Sequence, residues 1–141
     1  MKQRPDIIIP GSMDIPLPAS ETLPNGVPLH VLDCSDQDVV RVSFVFRAGT
    51  SMQEVPFSAS TTANMLAEGS ARHTAQQIAE RLDFYGSYYD VSLDRDYAVI
   101  TFVSLSKYFA QTIEIAHEIL LEPSFPQHEF EVYCGKRKQR L

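Results

Sequence analysis

The sequence predicts an α+β fold, a mostly antiparallel sheet with helices layered on it, and three observations carry that expectation. Apolar side chains alternate with a period of two over residues 39–46 and 97–105. Residues 74–85 and 107–121 instead repeat at i, i+3, i+4 and i+7, the stripe of a half-buried helix. In order, the segments read strand, strand, strand, helix, helix, strand, strand, helix, helix, a grouped succession of the α+β type.

Residues 1–20 carry Pro5, Pro10, Pro16 and Pro18, a density that blocks helix and predicts an extended arm. The folded part is then expected over residues 21–141. Thr22-Leu23-Pro24 and Val27 to Leu32 flank Asn25-Gly26, which tolerates the positive φ angles of a tight hairpin turn. Pro24 and Pro28 put that hairpin at an edge, where a missing N–H removes no ladder bond. In the next strand Val40, Val42, Phe44 and Phe46 share a face expected to be strongly buried. Ala48-Gly49 closes it. Pro56 opens a helix expected to reach Glu68, with Gly69 as its stop. Thr74 caps a second helix, whose Ala75, Ile78, Ala79, Leu82 and Tyr85 lie on one side before Gly86 ends it. Tyr88 to Leu93 and Tyr97 to Leu105 form a second hairpin through Asp94-Arg95-Asp96. A third helix is expected over about 107–121, burying Phe109, Ile113, Ala116 and Leu120, until Pro123 stops it. Pro126 begins a fourth, which meets no stop signal before Leu141, so the sequence predicts a chain cut inside an element or domain.

Composition narrows the function. With 141 residues, 44% apolar and 21% charged, the chain suits one globular domain with a core. A net charge of −6 argues against a nucleic-acid-binding surface over the whole protein, since phosphate neutralisation needs surplus Lys and Arg. The basic run Lys136, Arg137, Lys138 and Arg140 is expected to be the solvated face of the last helix. Cys34 and Cys134 have no metal-type spacing and make no disulfide framework. Ile7 to Ile9 is the one apolar run near Lys2 and Arg4, and Pro10-Gly11 stops it. Neither a signal peptide nor a membrane span is expected, and a cytoplasmic location follows.

Motifs for chemistry fail one by one. His117-Glu118 lacks a histidine at 121, and His128-Glu129 lacks one at 132, so neither completes H-E-x-x-H. His30, His73, His117 and His128 fall on four different elements, as ordinary surface histidines do. Ser58, Ser60, Thr61 and Thr62 cluster their hydroxyls, but the sequence sets no histidine or lysine beside them to activate a nucleophile. No Gly-rich phosphate loop is present.

An ordered series of blocks remains. Leu23-Pro24-Asn25-Gly26-Val27, Arg47-Ala48-Gly49-Thr50 with Glu54, and Met65-Leu66-Ala67-Glu68-Gly69-Ser70 resemble the opening blocks of the pitrilysin/insulinase family of zinc peptidases, the inverzincins. Ala75 to Gly86, Gly86 to Val91 leading to Asp96, and Glu122-Pro123-Ser124-Phe125 with Phe130-Glu131 are similar to the later ones. The resemblance covers residues 21–141 and implies the N-terminal part of such a peptidase domain.

Active members carry H-x-x-E-H on the first helix, just before the Met-Leu pair. Two histidines at i and i+4 share a helix face and hold one zinc, and the glutamate activates the bound water. The matching positions here are Ser60, Thr61, Thr62, Ala63 and Asn64. Ser60 and Asn64 offer no imidazole, and Ala63 no group to take a proton. The family's third ligand, a glutamate, falls in the region of residues 132–141, which contains no Asp or Glu. The resemblance therefore implies no catalytic residue and no metal ligand in this chain, with zinc only in a partner or another segment.

It also implies one surviving contact. The family's edge strand pairs with the substrate peptide, and Asp90, Val91 and Ser92 match it, although the family usually has Asn and Ala at the first two. Strand addition uses main-chain groups and needs none of the missing side chains. The competing expectation is that Tyr88 and Tyr89 merely pack in the sheet.

The function implied is a non-catalytic, peptide-binding or structural half of a zinc peptidase assembly, partnered by a related motif-bearing subunit or a second half-domain. An active zinc metalloprotease whose motif lies elsewhere in the full-length chain is the alternative. A scaffold with no affinity for peptides is the third.

Overall fold

The computed structural model describes residue 11, residues 15–33 and residues 37–139. The chain divides into two compact units, residues 1–36 and 37–141. Cys34 and Arg140 lie outside the described residues, and so does any pairing of Cys34; Cys134 is a half-buried free thiol.

In the first unit, β1 (Ala19–Thr22) and β2 (Pro28–Val31) pair antiparallel from Ala19↔Val31 to Thr22↔Pro28. The turn falls on the expected dipeptide. Gly26 has φ +84°, its N–H donates to Leu23 O at 2.8 Å, and the Asn25 carboxamide oxygen accepts from the Val27 N–H at 3.1 Å. Pro24 belongs to the turn, so the first strand starts at Ala19, earlier than the expected Thr22.

The second unit holds a three-stranded antiparallel sheet of β3 (Val39–Phe46), β4 (Tyr88–Leu93) and β5 (Ala98–Leu105), in the order β3-β5-β4. With α1 (Ser58–Met65), α2 (Ala75–Phe84), α3 (Phe109–Leu121) and α4 (Gln127–Lys138), this is the expected α+β class. The register stands Val42, Phe102 and Tyr89 abreast, and Phe44, Ile100 and Val91 beside them. On this face Ile78 and Leu82 of α2 and Ile115, Ala116 and Ile119 of α3 close the core. Phe102, Ile115 and Ile119 are fully buried, each stabilising the fold by roughly 1.5–3 kcal/mol. The opposite face carries Arg41, Ser43, Tyr88, Asp90 and Ser92.

Local chemistry explains the boundaries. Thr74 and Gln77 form a reciprocal capping box at the start of α2, worth about 1 kcal/mol. The Asp94 carboxylate accepts from the Asp96 and Tyr97 N–H groups, both at 2.7 Å, and so turns β4 into β5. These bonds hold its carboxyl below the usual range. The chain after β3 crosses this turn so closely that a Cβ at Gly49 would strike the backbone of Arg95 and Asp96. Gly69 has φ +150°, and a Cβ there would come within 2.8 Å of the Pro126 ring.

Three expectations need correction. The first helix occupies Ser58–Met65 and not 56–68: Phe57 at its start takes φ +70°, and Glu68 N–H bonds back to Met65 O as the chain leaves toward Gly69. The face of β3 is half-buried at Val40, Val42 and Phe44, and Phe46 is 42% exposed, because β3 is an edge strand among the described residues and α1 brings the small Ser58, Ala59, Thr62 and Ala63 around Phe46. In α3, Ala116 is buried as expected, but Phe109, Ile113 and Leu120 are half-buried, while Thr112, Ile115, Glu118 and Ile119 are inside.

The polar pair in α3 is inside because it is satisfied. The Thr112 hydroxyl donates to Tyr108 O at 3.0 Å and lies 2.6 Å from the Ser87 hydroxyl. Glu118, 1% exposed, accepts from Arg81 Nη1 at 2.7 Å, lies 2.7 Å from His73 Nδ1 and takes a hydrogen bond from the Ser70 hydroxyl. Arg72 adds a longer contact at 3.8 Å. Burial pushes the Glu118 carboxyl up, but the bonds from Ser70, His73 and Arg81 outweigh it and bring it down to about 2. This carboxylate ties the 69–74 segment, α2 and α3 together. No described helix is long and apolar enough to cross a membrane.

Candidate functional site

Ser60 and Asn64 lie one turn apart on α1 and share a face, with Ala63 buried beside them. The helix is weak by composition, since serine and threonine compete for backbone bonds. Local hydrogen bonds compensate. Pro56 precedes it, and the Gln53 carboxamide oxygen accepts from the Ala59 N–H at 3.4 Å in place of a capping side chain. The Ser60 hydroxyl donates to Phe57 O at 3.0 Å, and Asn64 Nδ2 donates to Ser60 O at 2.7 Å. Both side chains are thus turned back onto their own helix.

The last turn of α4 faces this pair. Arg137 Nη1 donates to the Tyr133 hydroxyl at 2.7 Å and to the Ser60 hydroxyl at 3.2 Å, with its guanidinium 4.8 Å from the Phe57 ring centroid. Arg137 is half-buried, which corrects the expected solvated basic face, although Lys136 and Lys138 beside it are exposed. The cause is geometric: an i, i+4 pair, Tyr133 and Arg137, points from α4 toward α1.

Glu68 and Tyr89 complete this side of the domain. Burial pushes the Glu68 carboxyl up, the nearby Glu129 carboxylate adds to the rise, and Lys136 opposes it. The Tyr89 hydroxyl is likewise pushed up, first by burial and then by the charges of Glu68 and Asp90. It is buried with no hydrogen-bond partner among the described residues, and its ring packs 5.2 Å from Phe102.

Zinc needs thiolate, imidazole or carboxylate donors in tetrahedral array. A hydroxyl, a methyl and a carboxamide at 60, 63 and 64, with a guanidinium bonded to the hydroxyl, do not fit it. Among the described residues no three His, Cys, Asp or Glu side chains converge as a metal site. On its other side α1 lines an apolar cavity of about 340 Å³ with Phe46, Thr62, Ala63, Leu66, Ile100 and Leu120.

Asp90, Val91 and Ser92 all lie on β4, which pairs with β5 along one side and is an edge of the sheet among the described residues. Val91 belongs to the core-facing ladder; Asp90 and Ser92 are exposed on the opposite face. The two tyrosines differ. Tyr89 packs into the core, while Tyr88 is 60% exposed. The β4 segment and the α1 pair are not scattered, because α1 packs beside β4 and β5.

Sequence reasoning missed Tyr133 and Arg137. Their spacing of four in a basic helix was visible, but α1 lies more than seventy residues away and nothing local links the two.

No family model matches the chain, and no curated protein matches it. Solved structures do. A peptidase M16 inactive domain from Pseudomonas fluorescens is 23% identical with a TM-score of 0.76, covering 79% of this chain and 28% of that one. A protease from Helicobacter pylori is 16% identical with a TM-score of 0.77, covering 90% of this chain and 32% of that one. The chain thus spans about a third or less of the length of these structures. Its antiparallel sheet, with four helices among the described residues, has the fold of part of the peptidase M16 domain.

Proposed function

We propose that the chain acts as a non-catalytic half of a zinc peptidase assembly of the pitrilysin/insulinase type, supplying walls and peptide contacts. Hydrolysis then belongs to a motif-bearing partner subunit or second half-domain, which alone carries zinc. One observation carries the reading: the helix positions matching H-x-x-E-H hold Ser60, Ala63 and Asn64, and Ser60 meets an arginine. The likeness to a domain described as inactive supports it.

Peptide contact is assigned to β4 at Asp90, Val91 and Ser92, an edge of the sheet among the described residues. An added strand there bonds to main-chain groups, which are present whatever the side chains. The test is peptidase activity of this chain alone and mixed with a motif-bearing relative. Activity in the mixture, absent from either component, is expected; chelator-sensitive hydrolysis by this chain alone would refute the reading.

A second reading is favoured by the coverage of the solved structures, about a third or less of each. In it, these residues are one segment of a longer, active zinc metalloprotease. An H-x-x-E-H motif in the same reading frame, with activity in the full-length product, would establish it.

A further inference from the structure

Arg137 sits where α4 meets α1, and its surroundings are unusual for a guanidinium. Among the described residues no carboxylate pairs with it; its partners are the neutral hydroxyls of Tyr133 and Ser60 and the Phe57 ring. Phe57 also has φ +70°, a conformation that disfavours a bulky side chain. A strained residue persists when its neighbours hold it, and the guanidinium stacked on its ring is such a neighbour.

We infer that Arg137 is a fixed cation clamp: its guanidinium takes the place beside Ser60 that a divalent ion would need, fastens α4 to α1, and excludes metal by charge. This rests on the reading of 60, 63 and 64 as a vacated ligand set. Three properties suit arginine to the task. It never deprotonates at accessible pH, its planar fork reaches two acceptors from one nitrogen, and it stacks on an aromatic face. Lysine supplies charge without the fork or the stacking. The repulsion between a fixed monocation and a dication a few ångströms away greatly exceeds thermal energy at a protein-like dielectric. Restoring the ligands alone therefore does not restore a good metal site.

The test uses the 141-residue chain. Ser60→His, Ala63→Glu and Asn64→His are combined, with and without Arg137→Gln, and zinc affinity is measured by competition with a chromogenic chelator. Removing the arginine is expected to tighten zinc at least about tenfold. Affinities equal within about twofold would overturn the clamp. Should the restored helix fail to fold, amide exchange is measured in the otherwise unaltered chain carrying Arg137→Met or Arg137→Lys. The methionine is expected to speed exchange in both α1 and α4 about tenfold, with lysine in between. Unchanged exchange in both variants would overturn the proposal. Stoichiometric zinc in the unaltered chain would instead refute the proposed function itself.

Discussion

Glu118 is buried and Arg137 half-buried where helices meet in this domain, and the two are held on different terms. Glu118 meets His73, Arg81 and Ser70, so its charge is matched and its oxygens are bonded. Arg137 meets neutral hydroxyls and an aromatic ring, so its charge is fixed without being matched among the described residues. A matched charge serves cohesion, because removing one partner strands the others. On the proposed function, an unmatched one beside Ser60 speaks to what that face excludes. Glu118 is a structural hub, while Arg137, on the proposed function, guards a vacated ligand face.

Breaking the hub is expected to have the largest effect. Glu118→Ala leaves Arg81 and His73 facing a buried gap, at a cost of about 2–4 kcal/mol, discounted because both partners keep contact with water. Thermal melting should fall by roughly 10 °C or more; a loss under about 2 °C would show that the hub is not structural. Acid comes next. The Glu118 carboxyl is depressed from 4.5 to about 2, so its stabilisation, about 3 kcal/mol, is fully present above pH 4.5 and lost as pH falls toward 2. Glu118→Gln should flatten that part of the stability profile, as acid melts would show.

At the α1–α4 face, Arg137→Met removes hydrogen bonds to neutral, half-exposed partners and should cost about 1 kcal/mol, well below the hub. Equal losses at both places would show that the two charges are held on the same terms. The smallest effect is expected on β4. Asp90→Asn and Ser92→Ala alter side chains on the open face, so peptide binding to the assembled complex should change less than about threefold. A tenfold loss in titration would mean that side chains, not the strand edge, make the contact.

The sheet was legible in the sequence because its signals are local. Strict alternation marked 39–46, Asn25-Gly26 marked the first turn, and Asp94-Arg95-Asp96 the second. Helix α2 was legible too, since its cap and its apolar stripe coincide. The buried face of α3 was not, because hydrophobicity selects against Thr112 and Glu118, and only partners distant in sequence satisfy their polar groups inside. The extent of α1 failed for a related reason: Pro56 and Gly69 bracket a longer stretch than Phe57 and the 69–74 segment permit. Of the site, Ser60, Ala63 and Asn64 were read from block order. Arg137 was read as solvated, since its orientation is set by α1 and not by its own neighbours.

On the proposed function, α1 offers no grip for a metal ion. Zinc content of the purified chain by mass spectrometry, before and after dialysis against zinc, tests it most directly. Less than about a tenth of an ion per chain is expected, given the absence of thiolate, imidazole and carboxylate donors at 60, 63 and 64. One tightly held zinc per chain, lost on Ser60→Ala or Asn64→Ala, would contradict it.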